Sequence, residues 1–169
     1  MSWIGSLAAK IAARFDDRSP VFYAADMAAF THRRGEWHVL LIRRRWRPHR
    51  GKLALPGGHV EARENSVDAA VRELWEETGI VVPADVVVRL VGVFDEPGRD
   101  SRGHYVSAAY GVILPGADDP VAADDATEAD WIPVRVALRA AARDGLAFDH
   151  DGILAGAITA LDLYGPRHR

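Results

Sequence analysis

The chain has 169 residues, 49% of them apolar, a formal charge of −3 and no cysteine. That length suits one domain with a core of its own. The missing cysteine excludes disulfides, thiolate metal sites and cysteine nucleophiles, and the mildly negative charge argues against a general nucleic-acid coat. Along the chain, Trp3, Ile4, Leu7, Ala8, Ile11, Ala12 and Phe15 make one apolar helical stripe. Residues 1–19 therefore read as a helical extension and linker, packed on the domain or on a second copy, which admits a homodimer. Lys10 and Arg14 interrupt this stretch, and no run is long enough to span a bilayer. Neither a signal peptide nor membrane contact is expected, and the cytoplasm is the default location.

Strands are expected at residues 21–30, buried on both faces, and at 38–42, after a turn at Arg33, Arg34 and Gly35. A short strand at 53–55 ends at Pro56, Gly57 and Gly58. Residues 66–78 read as a helix with Val67, Ala70, Val71 and Leu74 on one face, Ser66 as N-cap and Gly79 as the C-terminal glycine. Two long strands at 86–94 and 104–114 follow, then an acidic loop at 115–129 and a short strand at 131–133. Helices are expected at 134–143 and 153–164. The order predicts an α/β fold in one domain, residues 20–169, with a mixed sheet between helices.

The helix at 66–78 carries Glu73, Glu76 and Glu77 at i, i+3 and i+4, so they leave one side of it. Like charges at that spacing cost about 0.2–0.5 kcal/mol per pair. They also stand near the helix C-terminus, where the dipole disfavours anions. A divalent cation removes both objections, and carboxylate oxygens suit Mg²⁺ or Mn²⁺. Taken alone, three glutamates read sooner as a solvated acidic face than as a metal site.

The surroundings change that reading. Gly58, five residues, Glu64, seven residues and then Arg72-Glu73-Leu74-Trp75-Glu76-Glu77-Thr78-Gly79-Ile80 fill every fixed position of the Nudix box. Leu55-Pro56-Gly57-Gly58 resembles the usual entry to it. The resemblance implies an α/β/α sandwich and a hydrolase that cleaves nucleoside diphosphates linked to another group, using Mg²⁺ or Mn²⁺. It implies Glu73, Glu76 and Glu77 as metal ligands, joined by the Gly57 carbonyl, with Glu64 ligating through water or organising the ligands. Arg72 would hold the carboxylates in place, with Gly58 and Gly79 shaping the box. The proton acceptor would be a box glutamate or an acid on the loop before Trp131, Asp125 ahead of Glu128.

The box leaves the substrate open. Pro97 and the segments 94–104 and 146–151 resemble the ADP-ribose pyrophosphatase subgroup, which makes ADP-ribose the first expectation. A nucleoside triphosphate pyrophosphatase and a non-catalytic sensor of nucleotide metabolites are the alternatives. Arg43, Arg44, Arg45, Arg47, His49 and Arg50 form a basic run suited to phosphate. Arg43 and Arg45, with Arg99 and Arg102 on a later loop, are the expected substrate contacts, His104 is a further candidate there, and Trp46 or Phe22 could stack on a base. His32, His38, His59 and His168 show no metal spacing. No nucleic-acid partner is expected.

Overall fold

The computed structural model describes residues 20–165. The expected N-terminal helix, and the dimer it would admit, fall outside them. Among the described residues the elements run β1 (Val21–Arg33), β2 (Glu36–Arg44), β3 (Leu53–Ala54), β4 (Gly57–His59), α1 (Ser66–Thr78), β5 (Arg89–Phe94), β6 (His104–Ile113), β7 (Ala126–Pro133), α2 (Val134–Asp144) and α3 (His150–Ala160). No described helix is long and apolar enough to cross a membrane.

The strands form one sheet in the order β3-β2-β1-β6-β5, with β4 paired to β1 and β7 to β2. β1 and β6 run parallel, from Val21 opposite His104 to Phe30 opposite Ile113. The remaining pairs are antiparallel, so the sheet is mixed. Residues 25–31 of central β1 are all buried, as expected of a strand covered on both faces, whereas Val21, Phe22 and Tyr23, expected to be buried as well, are exposed.

Alternation assigns the two layers. Ala25, Met27, Ala29 and Leu40 face α1, meeting Ala69, Ala70 and Leu74. Ala28, Phe30, Val39 and Leu41 face the opposite layer, against Val134 and Ala137 of α2 and Ile153, Leu154 and Ala157 of α3. This is the expected α/β/α sandwich, produced by strand side chains that alternate between faces.

Several boundaries differ from expectation. The N-cap of α1 is Asn65, not Ser66: the Asn65 side chain accepts the Asp68 N–H at 3.0 Å. Ser66 opens the helix and bonds Tyr110 Oη at 2.7 Å instead. Gly79 ends α1 at a φ of 69°, its N–H on the Trp75 carbonyl at 2.7 Å, a left-handed position that suits glycine. β5 starts at Arg89, because Val86 and Val88 pack on the α1 layer rather than enter the sheet. β7 takes in Ala126–Asp130, which read as loop, because β2 supplies a full antiparallel partner from His38 to Arg44. α3 begins three residues early, at His150, and stops at Ala160. Past Pro56 the chain re-enters the sheet, with Gly57, Gly58 and His59 pairing antiparallel to β1.

Candidate active site

α1 anchors through Leu74 and Ala70 and turns its acidic side toward the chain that enters it. Arg72 occupies the centre of that side. Its Nη1 donates to Glu73 at 2.9 Å and Glu76 at 2.8 Å, its Nε and Nη2 to Glu64 at 2.9 and 3.1 Å, and Nη2 also to the His59 carbonyl at 3.0 Å. One guanidinium thus ties the entry loop to the helix. Its bonds to Glu64 hold that carboxyl below its ordinary range and raise the affinity of Arg72 for its own proton.

Glu77 turns inward. It is 2% exposed, and one oxygen accepts the Gly57 N–H at 3.0 Å. Burial pushes its pKa up to about 8; the Gly57 bond opposes that, while the charges of Glu73 and Asp125 reinforce it. Burial also raises Glu73, against the pull of Arg72. The two glycines permit this crowding. A Cβ at Gly57 would overlap the Asp26 carboxylate, and one at Gly58 the Glu73 carboxylate.

Facing this corner is a cavity of about 120 Å³, lined by Gly57, Gly58 and His59 on one side and by Asp26, Arg44, Arg99, Asp100, Arg102, Tyr105, Asp125, Phe148 and His150 on the others. A buried polar network forms its floor. Ser107 Oγ donates to Asp26 at 2.5 Å, and His150 Nε2 stands 3.6 Å from the other Asp26 oxygen. Arg99 grips Asp149 with two bonds, at 2.8 and 2.5 Å, and stands 3.9 Å from Asp26. Burial works against the Arg99 charge, but Asp149 outweighs it. Asp149, spent on Arg99, makes no side-chain cap to α3. Arg102 closes on Asp100 at 2.6 Å and lies over the Tyr105 ring at 4.7 Å.

The Leu55 amide donates to His150 Nδ1 at 2.9 Å. That nitrogen therefore carries no proton, and the imidazole is neutral with its hydrogen on Nε2, toward Asp26. Burial lowers the His150 pKa, so the unfolded chain binds a proton that the folded one refuses. Stability from the neutral ring is complete above the unfolded value of about 6.5 and is lost as pH falls through and below it. His150→Gln should accordingly lose less Tm than the parent between about pH 7.5 and about pH 5. Equal losses in calorimetry would contradict the neutral assignment.

The expected phosphate contacts divide. Arg99 and Arg102 line the cavity, although carboxylates occupy much of their hydrogen-bonding capacity. Arg43 does not line it: its Nε pairs with Glu128 at 2.7 Å across the β2–β7 ladder. The same pair draws Glu128 out to the surface, whereas Asp125 lines the cavity. Arg45 donates to the Ala126 carbonyl at 3.0 Å. Arg44 is the basic-run residue that reaches the cavity, placed by a bulge where β2 and β7 slip register between Arg43 and Arg44. Phe22 stacks on Tyr105 at 4.9 Å between ring centroids. Asp26, Ser107 and His150 were not among the expected site residues. A lone acid inside the apolar run 24–30 was the signal for Asp26, since an unpaired buried carboxylate is costly.

Glu73, Glu76 and Glu77 offer only carboxylate oxygens, the donor chemistry of Mg²⁺ or Mn²⁺. Glu77 fits most closely, because a nearby dication favours the charged form that burial opposes. Among the described residues no group of three or more His, Asp and Glu side chains is drawn together as a metal cage. Arg72 instead holds Glu73 and Glu76 toward itself, so ligation of one ion by all three glutamates requires Arg72 to share them.

The NUDIX domain profile matches residues 22–155. The chain belongs to the Nudix family. An ADP-ribose pyrophosphatase from Methanocaldococcus jannaschii is 40% identical over 116 residues, 69% of this chain and 63% of that protein. The ADPR responsive transcriptional repressor NtrR of Acinetobacter baylyi is 32% identical over 149 residues, 87% of this chain and 56% of the repressor. The chain thus spans less than two thirds of either relative. A bifunctional NMN adenylyltransferase/ADP ribose pyrophosphatase from Francisella tularensis, solved with AMP and a manganese ion, has a TM-score of 0.71 at 27% identity, over 94% of this chain and 46% of that one. In this Nudix domain the box is α1 with its entry loop, and divalent metal use is typical of the family.

Proposed function

We propose that this Nudix chain is a divalent-metal-dependent pyrophosphohydrolase that cleaves ADP-ribose to AMP and ribose 5-phosphate. The carrying observation is the intact Glu73–Glu76–Glu77 helix side set beside a cavity whose other wall holds Asp125. The substrate reading draws support from the similarity to the M. jannaschii ADP-ribose pyrophosphatase.

Glu73, Glu76, Glu77 and the Gly57 carbonyl would hold Mg²⁺ or Mn²⁺, with Glu64 ordering them through Arg72. A dication bound there supplies neutralisation of the diphosphate oxygens and a more acidic water. The chain contributes the rest. Arg44, whose charge faces Glu77, Asp125 and Asp100, attracts a phosphate oxygen into the cavity. Burial lowers the Arg44 pKa, which raises the gain from meeting an anion. Asp125 takes the proton from the attacking water as the P–O bond to the leaving phosphate breaks.

Incubation with Mg²⁺ or Mn²⁺ and a nucleotide panel, with product identification, tests this. AMP plus ribose 5-phosphate is expected. A nucleoside monophosphate plus pyrophosphate, from a triphosphate alone, would make the protein a nucleoside triphosphate pyrophosphatase instead. Tight ADP-ribose binding without turnover would favour a metabolite sensor, the reading suggested by the resemblance to the repressor. Asp125→Asn should lower kcat by about 10²-fold or more, and Glu128→Gln by less than about threefold. Equal, mild losses would return the proton acceptor to the box.

A further inference from the structure

The loop between β2 and β3 is a closed structure rather than a slack one. Arg44 N–H bonds the Lys52 carbonyl at 3.0 Å, Gly51 N–H the Arg44 carbonyl at 2.9 Å, and Lys52 N–H the His49 carbonyl at 3.0 Å. From inside, Arg44 Nε donates to the Pro48 carbonyl at 3.1 Å. Held this way, the loop turns Arg47, His49 and Arg50 toward the β5–β6 loop. Between them lies an open groove of about 780 Å³, lined by Arg47, Pro48, His49, Arg50, Ser101 and Arg102. That size suits a sugar phosphate.

The groove adjoins the catalytic cavity. Arg102 lines both, and the His49 ring packs at 4.7 Å on Phe148, a cavity residue. Its charge is one-sided. No carboxylate lines it, and Asp100, the nearest acid to Arg102, is turned inward with its side chain 1% exposed. Among the described residues neither Arg47 nor Arg50 has an ion-pair partner or side-chain hydrogen bond. Burial holds His49 below its ordinary value, and the charges of Lys52 and Arg44 add to that. Arg102 is already paired with Asp100, but holding Arg47 and Arg50 together without a counter-charge is unfavourable until an anion arrives, and arginine suits phosphate through paired N–H donors.

We propose that this groove is a second anion subsite, taking a phosphate monoester that the substrate carries beyond its scissile diphosphate. The inference rests on the reading of the adjoining cavity as the site of a nucleoside diphosphate derivative, and within that class it favours phosphorylated forms of ADP-ribose over ADP-ribose itself. Arg47 and Arg50 grip the monoester, while Arg102, over Tyr105, separates it from the diphosphate.

The test is calorimetric binding of ADP-ribose, ADP-ribose 2′-phosphate and ADP-ribose 1″-phosphate to the full chain without divalent metal, so that nothing is consumed. At least one monoester should bind about tenfold more tightly than ADP-ribose, with the preference shrinking as salt rises. Which isomer wins tells which sugar faces the groove. R47A/R50A should bring the ratio close to one. Equal affinities, no measurable binding of either monoester, or a preference that survives R47A/R50A would overturn the proposal. Turnover with Mg²⁺ separates it from the hydrolase reading. Hydrolysis of ADP-ribose without any monoester preference sinks the groove alone, and a binding preference without hydrolysis of any of the three sinks the hydrolase alone.

Discussion

Glu77→Gln should cut turnover by about three orders of magnitude or more, because it removes a ligand charge while preserving shape. The same change should make the stability of the metal-free protein less sensitive to rising pH. Glu77 is buried against Gly57, and its pKa rises from 4.5 to about 8. Between those values the folded chain keeps a proton that the unfolded chain has lost. The stability this represents is fully present below the unfolded value and is lost as pH rises through the folded one. Its size is on the order of a few kcal/mol. Glutamine carries no charge at any pH, so the metal-free parent should lose Tm relative to Glu77→Gln between about pH 4.5 and about pH 8. Dications should stabilise the parent far more than the variant. Normal turnover in the variant would remove Glu77 from the metal site, and the same decline with pH in both metal-free proteins would overturn its raised pKa.

Arg72→Ala should be the most damaging change outside the glutamates themselves. Arg72 is the shared cation of Glu64, Glu73 and Glu76 and bonds the His59 carbonyl as well. Its removal leaves three carboxylates repelling one another at the mouth of α1 and frees the entry loop. A stability loss of about 1–3 kcal/mol is expected, together with a fall of about 10²-fold or more in kcat/KM from misplaced ligands. Thermal unfolding and steady-state kinetics read the two separately. Added dication should restore part of the lost Tm, since it supplies the missing positive charge. An Arg72→Ala protein with unchanged kinetics would show that the carboxylates need no organiser.

The box could be read without a structure because its information is local. A 3.6-residue period puts Ala70, Val71 and Leu74 on the core side and the glutamates on another, whatever the rest of the chain does. The start of α1 shows how far that reaches. Ser66 and Asn65 are both good caps by type, and the choice fell to Asn65 because Ser66 was claimed by Tyr110 from β6. The same holds for Asp149, placed to cap α3 but taken by Arg99.

The opposite wall of the site was harder to see. Arg43, Arg44 and Arg45 are chemically alike and adjacent, so composition cannot rank them. Arg43 is absorbed by Glu128, Arg45 by a backbone carbonyl, and Arg44 alone enters the cavity. A register slip between β2 and β7 decides among them. Loop residues pose the same problem: Asp125 and Glu128 differ by three positions, yet one faces the cavity and the other solvent.

By itself, then, the chain's order of residues determined the family, the acidic helix and the alternation of a sheet covered on both faces, because each is written in spacings of a few residues. The partnership of Asp26, Ser107 and His150, the selection of Arg44, and the meeting of the Arg47–Arg50 loop with Arg102 were decided only by the tertiary structure. Those contacts join residues far apart in the chain, Asp26 and Ser107 by 81 positions, and a local pattern carries no record of which distant strands will pair or in what register.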